Sequence, residues 1–175
     1  MDFDFSSLKP SIDPETFLAE GARIVGAVTL QAGASVWYNS VLRADVAEIV
    51  IGRDTNIQDN CTVHVDFGRS TVLGDRVTVG HGVVLHACTI EDDCIIGMGA
   101  VVLDGAVIRK GTIVAAGALV PPRKTYPPGA LVLGAPATVA RMLSEEEVRH
   151  NAEHARGYVR MWKAYKDKGI AGGRP

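Results

Sequence analysis

The stretch CIIGMGAVVLDGAVIRKGTIVAAGALV, residues 94–120, returns an aliphatic residue at every sixth position: Ile96, Val102, Ile108, Val114 and Val120. Traced backward, the series includes Leu73, Val79 and Leu85 and then, after one step of five, Ile90. Four residues beyond most of these stands a small or β-branched side chain: Val77, Val83, Cys94, Ala100, Ala106, Thr112 and Ala118. Glycine occupies the turn side, as in IGMGAV and IRKGTI. A helix would repeat with a period near 3.6 and a half-buried strand with a period near 2, so a sustained six is neither. It describes a solenoid of short strands joined by sharp turns, three sides to a coil and about 18 residues per coil. The repeated aliphatic faces inward and stacks on its equivalent one coil away, while small residues fill the tight corners.

The first half of the chain carries the same pattern at Ile24, Leu30, Val36, Leu42, Ile51, Ile57 and Val63. Two insertions, ADVAEIVI (44–51) and DFGRST (66–71), break the register. They are expected to leave the stack as outward loops, because a core built by stacking has no room for extra residues. The four prolines of PPRKTYPPG (121–129) cannot donate to a ladder and are expected to stop the strands. Ser144 followed by Glu147 forms a capping box that opens a helix. Val148, Ala152, Ala155, Val159 and Trp162 then share one apolar face, to be packed on the prism or on a neighbouring subunit. The expected fold class is an all-β solenoid, a parallel β-helix of hexapeptide repeats with a C-terminal α-helix. Residues 1–143 form the β-helix domain with its N-terminal lead-in, 144–167 the helix and 168–175 a flexible tail.

Composition narrows the function. The net charge is −2 with basic residues scattered, which leaves no footprint for nucleic acid or for a membrane surface. No segment approaches the roughly 18 apolar residues of a spanning helix, and the acidic start MDFDF is unlike a secretory signal. Cys61, Cys88 and Cys94 are odd in number and show no CxxC spacing, so the chain is expected in a reducing cytoplasm. Cys61 and Cys94 fall in small-residue slots of the repeat and read as core.

The hexapeptide register gives directions to the histidines. His64 follows inward Val63 and His86 follows inward Leu85, so both point outward from one side as vertical neighbours. Their separation of 22 is one coil plus an excess that the loop at 66–71 can absorb. His81, two places after inward Val79, belongs to another corner and cannot easily meet them within one chain. Around a threefold axis, His81 of one copy could complete a site with His64 and His86 of the next. Three imidazoles with one open position make a catalytic rather than a structural zinc shell. His150 and His154, on the helix, read as solvated side chains.

The segments LRAD (42–45), NIQDNCTVHV (56–65), VGHGVVLHAC (79–88) and VLGAPA (132–137) resemble the γ-class carbonic anhydrases. That resemblance, over about residues 10–167, implies a left-handed β-helix and a homotrimer. It also implies a zinc ion on His64, His81 and His86, with iron or cobalt as alternatives in the cell. It further implies reversible hydration of carbon dioxide to bicarbonate by a metal-bound hydroxide at the subunit interfaces. Gln58 resembles the residue that hydrogen-bonds the metal's water, and Arg43, Asp45 and Asp59 resemble an intersubunit ion-pair cluster, which suits a planar guanidinium facing carboxylates. Tyr158 is similar to a helix tyrosine that approaches the site, and packing is its other reading. The sequence departs from the family where glutamates ferry protons: Val46 follows Asp45, and the loop between the first two histidines is short. Two alternatives therefore stay open, an enzyme of acyl thioesters related to acyl-CoA thioesterases or acyltransferases, and a metal-binding trimer with negligible turnover.

Overall fold

The computed structural model describes residues 8–170, so the first seven residues of the lead-in and residues 171–175 of the expected tail lie outside it. The chain is a parallel β-solenoid of about 7 turns with one C-terminal helix, as the six-residue period predicts. Three faces wind around a single apolar column. The first stacks the strands Val41–Arg43, Thr62–His64, Val84–His86, Val101–Val102 and Leu119–Val120 in parallel. The second stacks Ile49–Ile51, Thr71–Leu73, Thr89–Ile90, Val107–Ile108 and Thr125–Tyr126. The third runs Phe17–Leu18, Ser35–Val36, Asn56–Ile57, Thr78–Val79, Ile95–Ile96, Ile113–Val114 and Leu131–Val132.

On each face the repeated aliphatic is sealed inside: Leu42, Val63, Leu85, Val102 and Val120 on the first are all fully buried. Each such side chain contributes about 1.5–3 kcal/mol relative to exposure. Coil is tied to coil by backbone hydrogen bonds such as Thr62 N to Val83 O at 2.9 Å and Val84 N to Ala100 O at 3.0 Å. Cys61, Cys88 and Cys94 are buried free thiols in this column. Burial pushes their pKa values up, to about 11 for Cys61 and about 12 for the other two.

Two expectations about the repeat need correcting. The prolines do not end it: Thr125–Tyr126 pairs with Val107–Ile108, and Ala130–Gly134 pairs with Ile113–Val114 before turning back as a hairpin with Ala137–Met142. Pro121, Pro122, Pro127 and Pro128 fall between strands, where the ladder needs no donor, so the chain keeps its register through them. The segment ADVAEIVI is not a loop either. It lies within one continuous strand, Val41–Ile51, that bends around a corner and joins the first two faces. The preceding coil, Arg23–Leu30, follows it with a bulge between Gly26 and Val28, so the extra residues are absorbed by pairing. DFGRST does behave as expected, with Asp66 and Arg69 closing a small loop.

The helix spans Glu145–Asp167, capped by Ser144 and Glu147 in the expected box. It lies along the third face of its own solenoid. Ala155 and Trp162 are buried there, Trp162 donating to Gly33 O at 3.3 Å, and Asn151, absent from the expected stripe, is buried and donates to Gly111 O at 3.1 Å. Phe17, Trp37 and Trp162 form a second, aromatic core beneath it, with Trp37 and Phe17 centroids 5.1 Å apart. Because the helix covers this face, the outward polar residues Ser35, Asn56, Gln58 and Thr78 are buried rather than solvated.

Candidate metal centre

The first face carries the histidine ladder. Backbone register sets Arg43 beside His64 and His64 beside His86, in one outward column. His64 Nδ1 and His86 Nε2 face each other at 3.1 Å. Each ring's other nitrogen meets a carboxylate: His64 Nε2 lies 3.1 Å from Asp45 Oδ1, and His86 Nδ1 contacts Asp104. Asp45 is also paired with Arg43. Burial works to raise the Asp45 pKa, but hydrogen bonds from His64 and Arg43 outweigh it and hold the carboxyl below its ordinary value.

His81 stands elsewhere, at the turn between the third and first faces. Its neighbour Gly82 takes a φ of 69°, matching Asn39 at 60° and Asn60 at 59° in the coils above, and this left-handed residue turns the chain sharply enough to throw His81 outward. His81 Nδ1 lies 2.8 Å from Asp59 Oδ2, and Asp59 also accepts from Tyr38 N at 3.1 Å. With Gln58, Tyr38, Trp37, Tyr158, Met161 and Tyr165, these two residues line a cleft of about 210 Å³. Tyr158 packs edge-on against Trp37 at 5.5 Å and lines this cleft. Burial, and then the charge of Asp59, push its hydroxyl pKa up.

The expected site residues therefore fall into two groups. Arg43, Asp45, His64 and His86 meet on the first face, and Gln58, Asp59, His81 and Tyr158 meet at the corner. Asp59 does not join Arg43 and Asp45 within the chain. Among the described residues no three metal-binding side chains converge. Asp104 was not anticipated, although it lies 18 residues beyond its partner His86, one coil on. Asn56 was also missed. It flanks inward Ile57 opposite Gln58 and so shares that residue's outward side, and it accepts from Gln58 Nε2 at 3.2 Å. His154 is not simply solvated, since its Nδ1 lies 3.2 Å from Thr78 Oγ1.

The donor set fits a divalent metal. Two zinc–nitrogen bonds of about 2.0–2.1 Å at a tetrahedral angle place their nitrogens about 3.3 Å apart. His64 and His86 already hold theirs at 3.1 Å. With each N–H given to its carboxylate, both facing nitrogens present lone pairs to the same point, an arrangement a cation relieves and a neutral gap does not. A carboxylate behind each imidazole is also how metal-bound histidines are oriented. All three histidines have one.

The parallel solenoid defines the class: a hexapeptide-repeat protein. Residues 87–122 match the family described as "Bacterial transferase hexapeptide (six repeats)" and residues 48–87 match "Hexapeptide repeat of succinyl-transferase". The chain is 56% identical over 144 residues to a "Probable carbonic anhydrase" of Methanocaldococcus jannaschii, covering 82% of this chain and 91% of that one. It is 44% identical over 158 residues to "Gamma carbonic anhydrase 2, mitochondrial" of Arabidopsis thaliana, covering 87% of this chain and 57% of that protein. A Bacillus cereus crystal structure titled a putative acetyltransferase superposes with a TM-score of 0.90 at 40% identity, covering 93% of this chain and 95% of that one. The chain belongs to the γ-carbonic anhydrase family, as a γ-carbonic anhydrase or a γ-carbonic anhydrase-like lyase. Among the described residues no helix is long and apolar enough to cross a membrane.

Proposed function

We propose that this chain catalyses the reversible hydration of carbon dioxide to bicarbonate at zinc sites shared between the subunits of a homotrimer. The observation that carries the reading is the division of three carboxylate-backed histidines into a pair on one face and a single residue on another corner. A threefold arrangement sets the corner of one copy against the face of the next and brings His81 to the open side of the His64–His86 pair. Zinc bound there supplies Lewis acidity that lets water ionise near a pKa of about 7, a value taken from carbonic anhydrase itself.

The chain's own residues do the rest. Asp45, Asp104 and Asp59 take the N–H of His64, His86 and His81 and leave the opposite nitrogens as donors to the metal. Gln58 gives its Nε2 to Asn56, which leaves Oε1 as the acceptor that orients the attacking oxygen. Trp37, Tyr158 and Met161 provide the apolar wall against which an uncharged substrate is held. Arg43, held by Asp45 beside the histidine column, is placed to face carboxylates across the interface. Iron or cobalt in place of zinc would use the same ligands.

Metal content is measured first, followed by stopped-flow carbon dioxide hydration and acyl-CoA hydrolysis on the same zinc-loaded, reductant-protected protein. Hydration at the buffer rate with full zinc occupancy would sink this reading. Acyl-CoA hydrolysis in that sample would favour the thioester alternative. Neither activity would leave a metal-binding trimer. The shared site is tested by mixing His64→Ala and His81→Ala subunits, each metal-poor alone. Reassembled mixtures should regain some of the lost metal, and no regain would assign all the ligands to one chain.

A further inference from the structure

A run of buried hydrogen bonds leads from Gln58 away from the cleft. Gln58 Nε2 donates to Asn56 Oδ1 at 3.2 Å, and Asn56 Nδ2 donates to Thr78 Oγ1 at 3.0 Å and to Val77 O at 3.4 Å. Thr78 Oγ1 meets His154 Nδ1, on the C-terminal helix, at 3.2 Å. Asn56, Gln58 and Thr78 are all buried, at 0%, 4% and 2% exposure, so water does not compete for these groups. His154 stands at the exposed end.

Val77 O can only accept, so it draws the Asn56 amide nitrogen, but at 3.4 Å it holds it weakly; the closer partner is Thr78 Oγ1 at 3.0 Å, which accepts from that nitrogen only while its own proton points elsewhere. In that orientation Asn56 Oδ1 faces Gln58. Gln58 then has to present Nε2 to Asn56 and Oε1 to the cleft. Thr78 Oγ1 already accepts from Asn56, so its own proton is free to go to His154 Nδ1. That requires an unprotonated Nδ1. Partial desolvation against the third face, and then the neighbouring His150, push the His154 pKa down and favour the neutral ring.

We propose that His154 is a positioning residue for the hydration reaction, fixing through Thr78 and Asn56 the amide orientation that makes Gln58 an acceptor in the cleft. Without an acceptor at Nδ1, the Thr78 proton turns toward the Asn56 amide and competes with it, and the Gln58 amide loses its single orientation. The inference rests on the proposed hydration chemistry only for its kinetic consequence. The structural consequence stands apart from it.

The test therefore has two readouts on the full-length protein. In nitrogen-resolved NMR spectra, with the Gln58 side-chain amide pair assigned by its loss in Gln58→Glu, that pair should move in both Thr78→Val and His154→Ala. It should return toward its wild-type position in His154→Asn, whose Oδ1 stands where Nδ1 does. In stopped-flow hydration, His154→Ala should lower kcat about three- to tenfold with KM nearly unchanged, the scale of one hydrogen bond made in the transition state. His154→Asn should recover most of it. Gln58 amide signals in His154→Ala that coincide with wild type would overturn the proposal, whatever the activity. Signals that respond in a wild-type protein with no hydration above buffer would uphold it and sink the hydration reading instead.

Discussion

The two halves of the candidate site are held by different physics. On the first face, Arg43, His64 and His86 stand in a column because parallel strands pair at fixed register, so their positions follow from backbone hydrogen bonds and from the stacked Leu42, Val63 and Leu85 behind them. At the corner, His81 is aimed by a turn, Gln58 and Trp37 are set by coil-to-coil pairing at the end of the third-face strands, and Tyr158 is brought to them by a helix folded back across that face. The face is as rigid as the solenoid itself. The corner depends on the docking of one element whose buried side chains are few, Trp162, Ala155 and Asn151. A centre assembled from both should lose metal when the face is altered and lose catalytic geometry when the helix is altered.

The most severe break in this comparison is on the face. His86→Ala should reduce zinc retained through a chelating column by more than the roughly 10–100-fold that loss of an orienting partner costs. Its melting transition should stay close to wild type, because the inward Leu85 is untouched. Retention of full zinc by this variant would take His86 out of the ligand set.

Trp162→Ala attacks the other half. Removing a fully packed tryptophan typically costs about 3–5 kcal/mol. Denaturant unfolding followed by helix signal should show the helix leaving before the solenoid, and the far-ultraviolet strand signal should persist beyond it. A single transition with all signals coincident would mean that helix and prism are one cooperative unit.

Smaller effects sharpen the contrast between the orienting carboxylates. Asp104→Asn and Asp59→Asn should each weaken zinc binding by about 10–100-fold, measured by competition with a chromophoric chelator. If the face pair binds first and the corner histidine completes the site, Asp104→Asn should be the worse of the two. The least effect belongs to the capping box. Arg141, and then the backbone of Ser144, hold the Glu147 pKa down to about 2 from an ordinary 4.5. A depressed carboxyl contributes stability that is complete above its unfolded pKa and disappears as pH falls through the folded one. Helix signal should therefore fray progressively between about pH 4.5 and 2. Glu147→Gln should flatten that dependence, and an unchanged acid profile would assign the fraying to other groups.

The unequal legibility of the two halves has the same origin. Residues one strand apart on a solenoid face repeat at a fixed interval, so the pairing of His64 with His86 could be read from the hexapeptide count, loop included. The ADVAEIVI insertion and the proline-rich segment could not be read so well. Whether extra residues leave the stack depends on what the neighbouring coil does, and whether a proline breaks a ladder depends on which side of a corner it falls. His154 read as a solvated helix residue, and nothing singled out Asn56 and Thr78, because a single strand pattern cannot show that a distant helix will cover that face.

By itself, then, the sequence determined the period, the inward column, the outward slots and the capped helix, because these depend on spacings along the chain. Only the tertiary structure decided that Asp104 backs His86, that Asp59 meets His81 within the chain, and that the helix turns a polar face into a buried hydrogen-bond run. Those are meetings of residues far apart in the chain, governed by how the helix docks and by the carboxylate that lies nearest each imidazole in space.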